Sequence, residues 1–290
     1  MRPQQLSRSW LVGAAGVHTG TPGEEWENLG GYPYPVSSIV RSRIGLLVGT
    51  SAGVWLVEQQ KARWRQLHDE TVTEVLDVCE IHGRGSGREL CVAFPYGVAT
   101  AEPFRSAPLR WTWRSHGLEV NERFSSRLLS PWEPGAPLVV GCESGVLCVD
   151  PSDWKWRRTS LTGRPCRALA RWQHRLWAGT DDGGVWHSED GVHWTRAGRG
   201  LDRAAVFCLA ADGDTLLAGT AEGLAVFTGG SHWRRVGPRL RITAAAAREG
   251  TIAVGASPGG FWHSRDGGQS WASTPGFASV RAISAPERGT

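Results

Sequence analysis

Seven copies of one short pattern run through this chain, and their spacing leaves few folds open. Each copy is an apolar run ending in a small residue, then a tight polar loop, a glycine and a second apolar run. In order they read LVGAAGV from Leu11, LVGTSAGVW from Leu47, CVAFPYGV from Cys91 and VVGCESGVL from Val139. They continue as WAGTDDGGVW from Trp177, LAGTAEGLAV from Leu217 and AVGASPGGFW from Ala253. The small anchors are Gly13, Gly49, Ala93, Gly141, Gly179, Gly219 and Gly255, separated by 36, 44, 48, 38, 40 and 36 residues. A period near 40 is that of a four-stranded propeller blade.

Each copy is followed by a tryptophan (Trp26, Trp64, Trp113, Trp156, Trp194, Trp233, Trp271) and then by a further apolar run. Every repeat thus supplies four strand-length segments, named A to D. A is the run after the previous tryptophan, B ends at the anchor, C begins after the loop glycine, and D holds the tryptophan. Short segments joined by Gly, Asp and Ser turns, with no sustained helical period, predict an all-β chain. The first repeat lacks an A segment, and Val280 to Ala285 follows the last tryptophan without a blade of its own. The expected fold is therefore a seven-bladed β-propeller of four-stranded blades spanning residues 1–290 as one domain. Blade 1 is shared between residues 8–30 and 279–286, so the C-terminal strand closes the ring and hides two sheet edges.

Two repeats carry a sharper motif. Ser188-Glu189-Asp190-Gly191-Val192-His193-Trp194 reads S-x-D-G-x-x-W, and Ser264-Arg265-Asp266-Gly267-Gly268-Gln269-Ser270-Trp271 reads S-x-D-G-G-x-S-W. These resemble the Asp-box, or BNR, motif of sialidases, sortilin-type receptors, some glucanases and photosystem II assembly-factor propellers. The resemblance implies a structural role in the C–D turn for Ser188, Asp190, Gly191, Trp194, Ser264, Asp266, Gly267 and Trp271, away from a catalytic face. Of the implied functions, the assembly-factor group fits an arginine-rich surface. The sialidases need a tyrosine nucleophile and an R-I-P signature, and the chain has only Tyr32, Tyr34 and Tyr96 and no such signature.

Antiparallel strands place the B–C loops and D–A connections on one face. The loops carry Tyr96, Glu143, Asp181, Asp182 and Glu222; the connections and first A residues carry Arg123, Arg164, Arg167, Arg203, Arg239, Arg241 and Arg281. The net charge is +4, and only Lys61 and Lys155 are lysines. Guanidinium forks suit carboxylates and phosphates. The arginines either bind an acidic group or staple neighbouring blades by ion pairs. The third repeat is the longest, and its 103–122 segment and Pro131-Trp132-Glu133-Pro134 offer Trp111 and Trp132 as exposed anchors for a partner. The GRGSG run at 83–87 reads as a hairpin tip, since a phosphate loop needs a strand-to-helix context.

The function expected is a non-catalytic scaffold that holds a protein partner, with an acidic ligand or glycan as the other class of occupant. The alternative is a carbohydrate-binding or sialidase-like glycoside hydrolase using acids among Glu143, Asp181, Asp182 and Glu222. No catalytic residue, metal site or cofactor is expected. The nine histidines are dispersed, and the six cysteines show no C-x-x-C pair. Arginines beside the strand D tryptophans read as edge protection, so a nucleic-acid partner is not expected. With no signal-peptide pattern and no membrane-length apolar run, the expected place is the cytoplasm.

Overall fold

In a computed structural model the chain forms seven four-stranded antiparallel sheets arranged as propeller blades. The structure describes residues 7–58, 63–82, 87–102, 109–133 and 135–287. Most of the 83–87 run, residues 103–108 and Pro134 lie outside them. Blade 1 contains β1 (Trp10–Ala14), β2 (Gly16–Gly20) and β3 (Trp26–Asn28); blade 2 contains β4 (Val36–Ser42), β5 (Gly45–Thr50), β6 (Gly53–Glu58) and β7 (Arg63–Gln66). Blade 3 contains β8 (Asp77–His82), β9 (Arg88–Phe94), β10 (Gly97–Ala101) and β11 (Thr112–Trp113). A four-residue helix, α1 (Val120–Arg123), precedes blade 4, which contains β12 (Ser125–Leu129), β13 (Leu138–Cys142), β14 (Gly145–Val149) and β15 (Trp156–Thr162). Blade 5 contains β16 (Cys166–Trp172), β17 (Arg175–Thr180), β18 (Val185–Ser188) and β19 (Thr195–Arg196). Blade 6 contains β20 (Val206–Asp212), β21 (Thr215–Thr220), β22 (Gly223–Phe227) and β23 (Arg234–Val236). Blade 7 contains β24 (Ile242–Arg248), β25 (Thr251–Ala256), β26 (Gly260–Ser264) and β27 (Ala272–Thr274). The last strand, β28 (Ala282–Ser284), returns to blade 1 and pairs with β1, Leu11 opposite Ser284 and Gly13 opposite Ala282. The A strand of blade 3 begins at Asp77, and the Leu76 amide just before it donates to Ala93 O.

The core is divided among the blades. Seven buried clusters fill the seven wedges between neighbouring blades, such as Leu47, Leu56, Val75 and Phe94 between blades 2 and 3. The B strands are therefore covered on both sides and read as continuous apolar runs; β5 and β13 are buried at every position. The anchors are small because the next blade packs on them. A Cβ built on Gly49, Gly179 or Gly255 would lie 2.9, 2.5 or 2.5 Å from a methyl of Val75, Val206 or Val280, each the residue just before the channel-lining position of the next blade.

The tryptophans serve the ring in two ways. In blades 2, 4 and 6 the indole reaches back to the preceding blade: Trp64, Trp156 and Trp233 donate from Nε1 to the carbonyls of Leu29, Arg114 and Ala197 at 3.1, 2.8 and 3.0 Å. In blades 5 and 7 it folds over its own turn, Trp194 donating to Gly191 O and Trp271 to Gly268 O. Those two turns share one design. Ser188 Oγ accepts from the Gly191 amide and donates to Asp190, whose Oδ1 accepts from the amides of Val192 and His193, both at 2.8 Å. Ser264 and Asp266 repeat it with the amides of Gly268, Gln269 and Ser270. A short acceptor satisfying several amides fixes a turn that otherwise leaves them bare. The positive φ of Gly191 and Gly267, +78 and +70°, lets the backbone turn there.

Blade 3 corrects the sequence expectation about its aromatics. Trp111, expected as an exposed anchor, makes the bond to the preceding blade, donating to Leu67 O at 3.1 Å while half-buried against the blade 2–3 core. Trp113, the strand D tryptophan of the repeat, is the exposed ring, packed edge-on to Phe94. Trp132 is also half-buried, packed on the blade 4–5 core beneath the Arg171 guanidinium 5.7 Å from its ring.

Candidate functional site

The A strands share an irregularity that shapes the channel. In blades 2, 4, 5, 6 and 7 the register shifts around the strand's second residue, leaving Ser37, Ser126, Arg167, Phe207 and Thr243 without a partner across the ladder. A bulge of this kind re-aims one side chain. These five, with Leu76 of blade 3 and Arg281 of blade 1, contribute one residue per blade to the lining of a cavity of about 250 Å³. Phe124 and Arg127 complete it. The three hydroxyls at this level stitch the ring. Ser37, Ser126 and Thr243 donate to the carbonyls of Val75, Cys166 and Val280 at 2.5, 2.6 and 2.8 Å, each in the next blade. Asp77 extends the stitching, accepting from Ser38 Oγ and from the Leu128 amide.

The arginines at this mouth divide into two groups. Arg167 lies 2.9 Å from both Glu143 of blade 4 and Asp181 of its own blade. Burial alone lowers its pKa, but the hydrogen bonds and charges of Asp181 and Glu143 outweigh that and hold it above the ordinary value. Arg164 pairs with Asp182 at 3.0 Å, and Arg235, on strand D, with Glu222 at 2.7 Å. Arg127 donates to the carbonyls of Leu76 and Ser126. The second group has no carboxylate partner among the described residues. Arg281 lines the cavity and is exposed; Arg241 lies over the Phe207 ring at 4.4 Å; Arg203 and Arg239 are exposed. Arg123 ends α1, and its Nε donates to Leu118 O at 3.2 Å. Tyr96 is 67% exposed on the blade 3 B–C loop, and Tyr32 and Tyr34 are exposed on the connection from blade 1 to blade 2, at the same end of the strands.

The geometry thus brings Arg167, Glu143 and Asp181 into one cluster and sets Arg281 and Arg241 beside it. It puts Glu222 and Asp182 in separate pairs and leaves Trp111 and Trp132 half-buried against the blade 2–3 and 4–5 cores. Phe124, Arg127 and Phe207 were not anticipated. A signal for the bulge position existed: Ser37, Arg167, Phe207 and Thr243 each stand twelve residues before an anchor glycine. Among the described residues no group of three or more His, Cys, Asp and Glu is placed to hold a metal ion, and no helix is long and apolar enough to cross a membrane.

No protein-family model matches the chain, and no curated protein matches it. Solved structures do. A computationally designed protein, Ika8, superposes with a TM-score of 0.61 at 14% identity over 95% of this chain and 90% of its own. YCF48 from Cyanidioschyzon merolae matches with a TM-score of 0.61 at 12% identity, covering 84% of this chain and 86% of that one. The extracellular domain of BT4673 from B. thetaiotaomicron matches with a TM-score of 0.61 at 14% identity over 96% of this chain, which spans 46% of that one. At such identities the likeness is one of fold: this chain is a seven-bladed, all-β propeller.

Proposed function

We propose that the chain is a propeller of the Asp-box type acting as a non-catalytic docking module, which holds a protein partner by an acidic group at its arginine-bearing channel mouth. The observation that carries this is the division among the arginines. Arg164 and Arg167 are neutralised by Asp182, Asp181 and Glu143, whereas Arg203, Arg239, Arg241 and Arg281 have no carboxylate partner among the described residues. Cations that the fold does not neutralise, gathered around a concavity, attract and orient an acidic partner. Exposed Tyr32, Tyr34 and Tyr96 at the same end add the Tyr and Arg composition of interface hot spots. The non-catalytic part of the reading rests on the acids. Glu143, Asp181, Asp182 and Glu222, on which paired-carboxylate hydrolysis would draw, are each engaged by an arginine.

Affinity capture from the source lysate tests the proposal, comparing wild type with an Arg203→Ala, Arg241→Ala, Arg281→Ala triple variant. A stoichiometric protein held by wild type and released by the variant, at equal melting temperature, is the expected result. Equal capture by both, or no capture by either, overturns it.

A further inference from the structure

The opposite face, where the A–B and C–D turns lie, carries a second concavity that the docking reading does not use. It is a cleft of about 480 Å³ between blades 5 and 6, inside the roughly 300–1,000 Å³ range of small-ligand sites. Its back wall is aromatic: Trp172, Trp177 and Phe227 stand with ring centroids 5.3 to 5.9 Å apart. Arg175 and Arg196 flank the opening. Their charges are matched, Arg175 Nη2 lying 2.8 Å from Glu189 and Arg196 Nη1 lying 3.9 Å from Asp202. His187 shares the lining with them; its Nδ1 is buried without a hydrogen-bond partner, as is that of His263 in blade 7.

Blade 7 repeats the arrangement with a different outcome. His263 holds the position of His187, directly before the second S-x-D-G turn. There the chain itself covers the histidine. Pro22 O accepts from Arg265 Nε at 2.9 Å, and a Cβ on neighbouring Gly23 would lie 3.2 Å from His263 Nε2. In blade 6 the equivalent C–D turn contains Gly229 and Gly230, where an added Cβ meets nothing within 4 Å. One inter-blade cleft is plugged by a turn of the protein, and the other is open.

We propose that the open cleft between blades 5 and 6 is a binding site for a neutral sugar unit. Its hydrogen-bonding groups are two guanidinium–carboxylate pairs of cancelling formal charge. Such pairs offer donors and acceptors side by side, which suits vicinal hydroxyls, each able to donate and to accept. A phosphate or an acidic sugar would set uncompensated negative charge beside Glu189 and Asp202. The aromatic rings behind the opening are buried in the blade 5–6 core and close the cleft to water on that side. This site is independent of the channel mouth.

The test is calorimetric and saturation-transfer NMR titration of the purified full chain with neutral hexoses, 6-deoxyhexoses and N-acetylhexosamines, with sodium phosphate and an acidic sugar as anionic controls. At least one neutral sugar should bind at one site, with affinity unchanged by added sodium chloride. Gly230→Trp and Arg196→Met should each weaken binding at least about tenfold at unchanged melting temperature. Gly230 has no left-handed φ and no neighbour within 4 Å, so an indole there fills the cleft mouth without strain. Arg241→Ala with Arg281→Ala should leave sugar binding intact, which keeps the fate of this site separate from that of the docking face. The proposal is overturned if no neutral sugar binds, if binding survives Gly230→Trp, or if the anions bind preferentially and salt-sensitively.

Discussion

Replacing Gly179 with alanine would show why the repeat keeps a small residue before its B–C loops. The new Cβ would stand 2.5 Å from Val206 Cγ1 and 3.2 Å from Ala168 Cβ, against about 3.5–4.0 Å for a normal carbon contact. Val206 is fully buried in the blade 5–6 core, so the crowding has no outlet to solvent. Forcing a methyl into a packed core costs roughly 1–3 kcal/mol. Gly179 has no left-handed φ, so alanine also recovers about 0.4–1 kcal/mol by restricting the unfolded chain. The expected net loss is about 1–2 kcal/mol, read as a lower urea midpoint at unchanged slope. Val206→Ala removes the methyls that the new Cβ meets, and alone costs about 1–2 kcal/mol of burial. The double variant should be more stable than the summed losses predict by about 1 kcal/mol. The chain already contains a natural version of this compensation. Blade 3 has Ala93 as its anchor, and blade 4 opens with Ser125 where the other blades have valine, isoleucine or cysteine. A stabilising Gly179→Ala, or losses that add within about 0.3–0.5 kcal/mol, would show that the anchor is not there for packing.

Three further outcomes are expected. Arg167→Ala should destabilise by about 1–2 kcal/mol, since it leaves Glu143 and Asp181 without their cation, whereas Arg281→Ala should change stability by less than about 0.5 kcal/mol; equal effects in thermal melts would contradict the division of the arginines. Burial pushes the thiols of Cys148, Cys166 and Cys208 up to about 12, and Cys79, Cys91 and Cys142 are buried as well, so Ellman's reagent at neutral pH should detect no thiol until urea exposes all six. The Asp190 carboxyl lies well below the usual carboxylate range, chiefly through its His193 side-chain hydrogen bond and then the amides of His193 and Val192. A carboxyl that holds its proton less tightly when folded adds stability above its unfolded value of about 3.9 and loses it as the pH falls further. Asp190→Asn should therefore be less stable than wild type at pH 7, with the gap closing below about pH 4; a constant gap in acid denaturation would remove the carboxylate from the account.

Much of the architecture is local enough to be written in the chain. The anchor and tryptophan recur because every blade meets its neighbour in the same way, and a contact repeated seven times leaves a period near 40 residues. Closure was legible for the same reason: a blade lacking its A strand at one end and a spare A strand at the other can satisfy their edges only by pairing. What the tertiary structure decided is where each side chain points and which charges find each other. A bulge is a one-residue change of register that no side-chain pattern enforces, so Phe207 and Thr243 read as ordinary strand residues until the ladder turns them into the channel. Arg167 and Arg281 occupy the same repeat position, yet one is bound by two acids and the other, among the described residues, by none, because Glu143 and Asp181 come from loops of blades 4 and 5. Trp111 and Trp113 exchanged roles because only the packed wedge between blades shows which indole can reach Leu67. His187 and His263 are equivalent in sequence and differ only in whether a turn from the next blade covers them. The repeat period follows from packing that recurs from blade to blade and is carried by the sequence itself; the sites follow from contacts between segments some forty residues apart, which exist only once neighbouring blades have packed together.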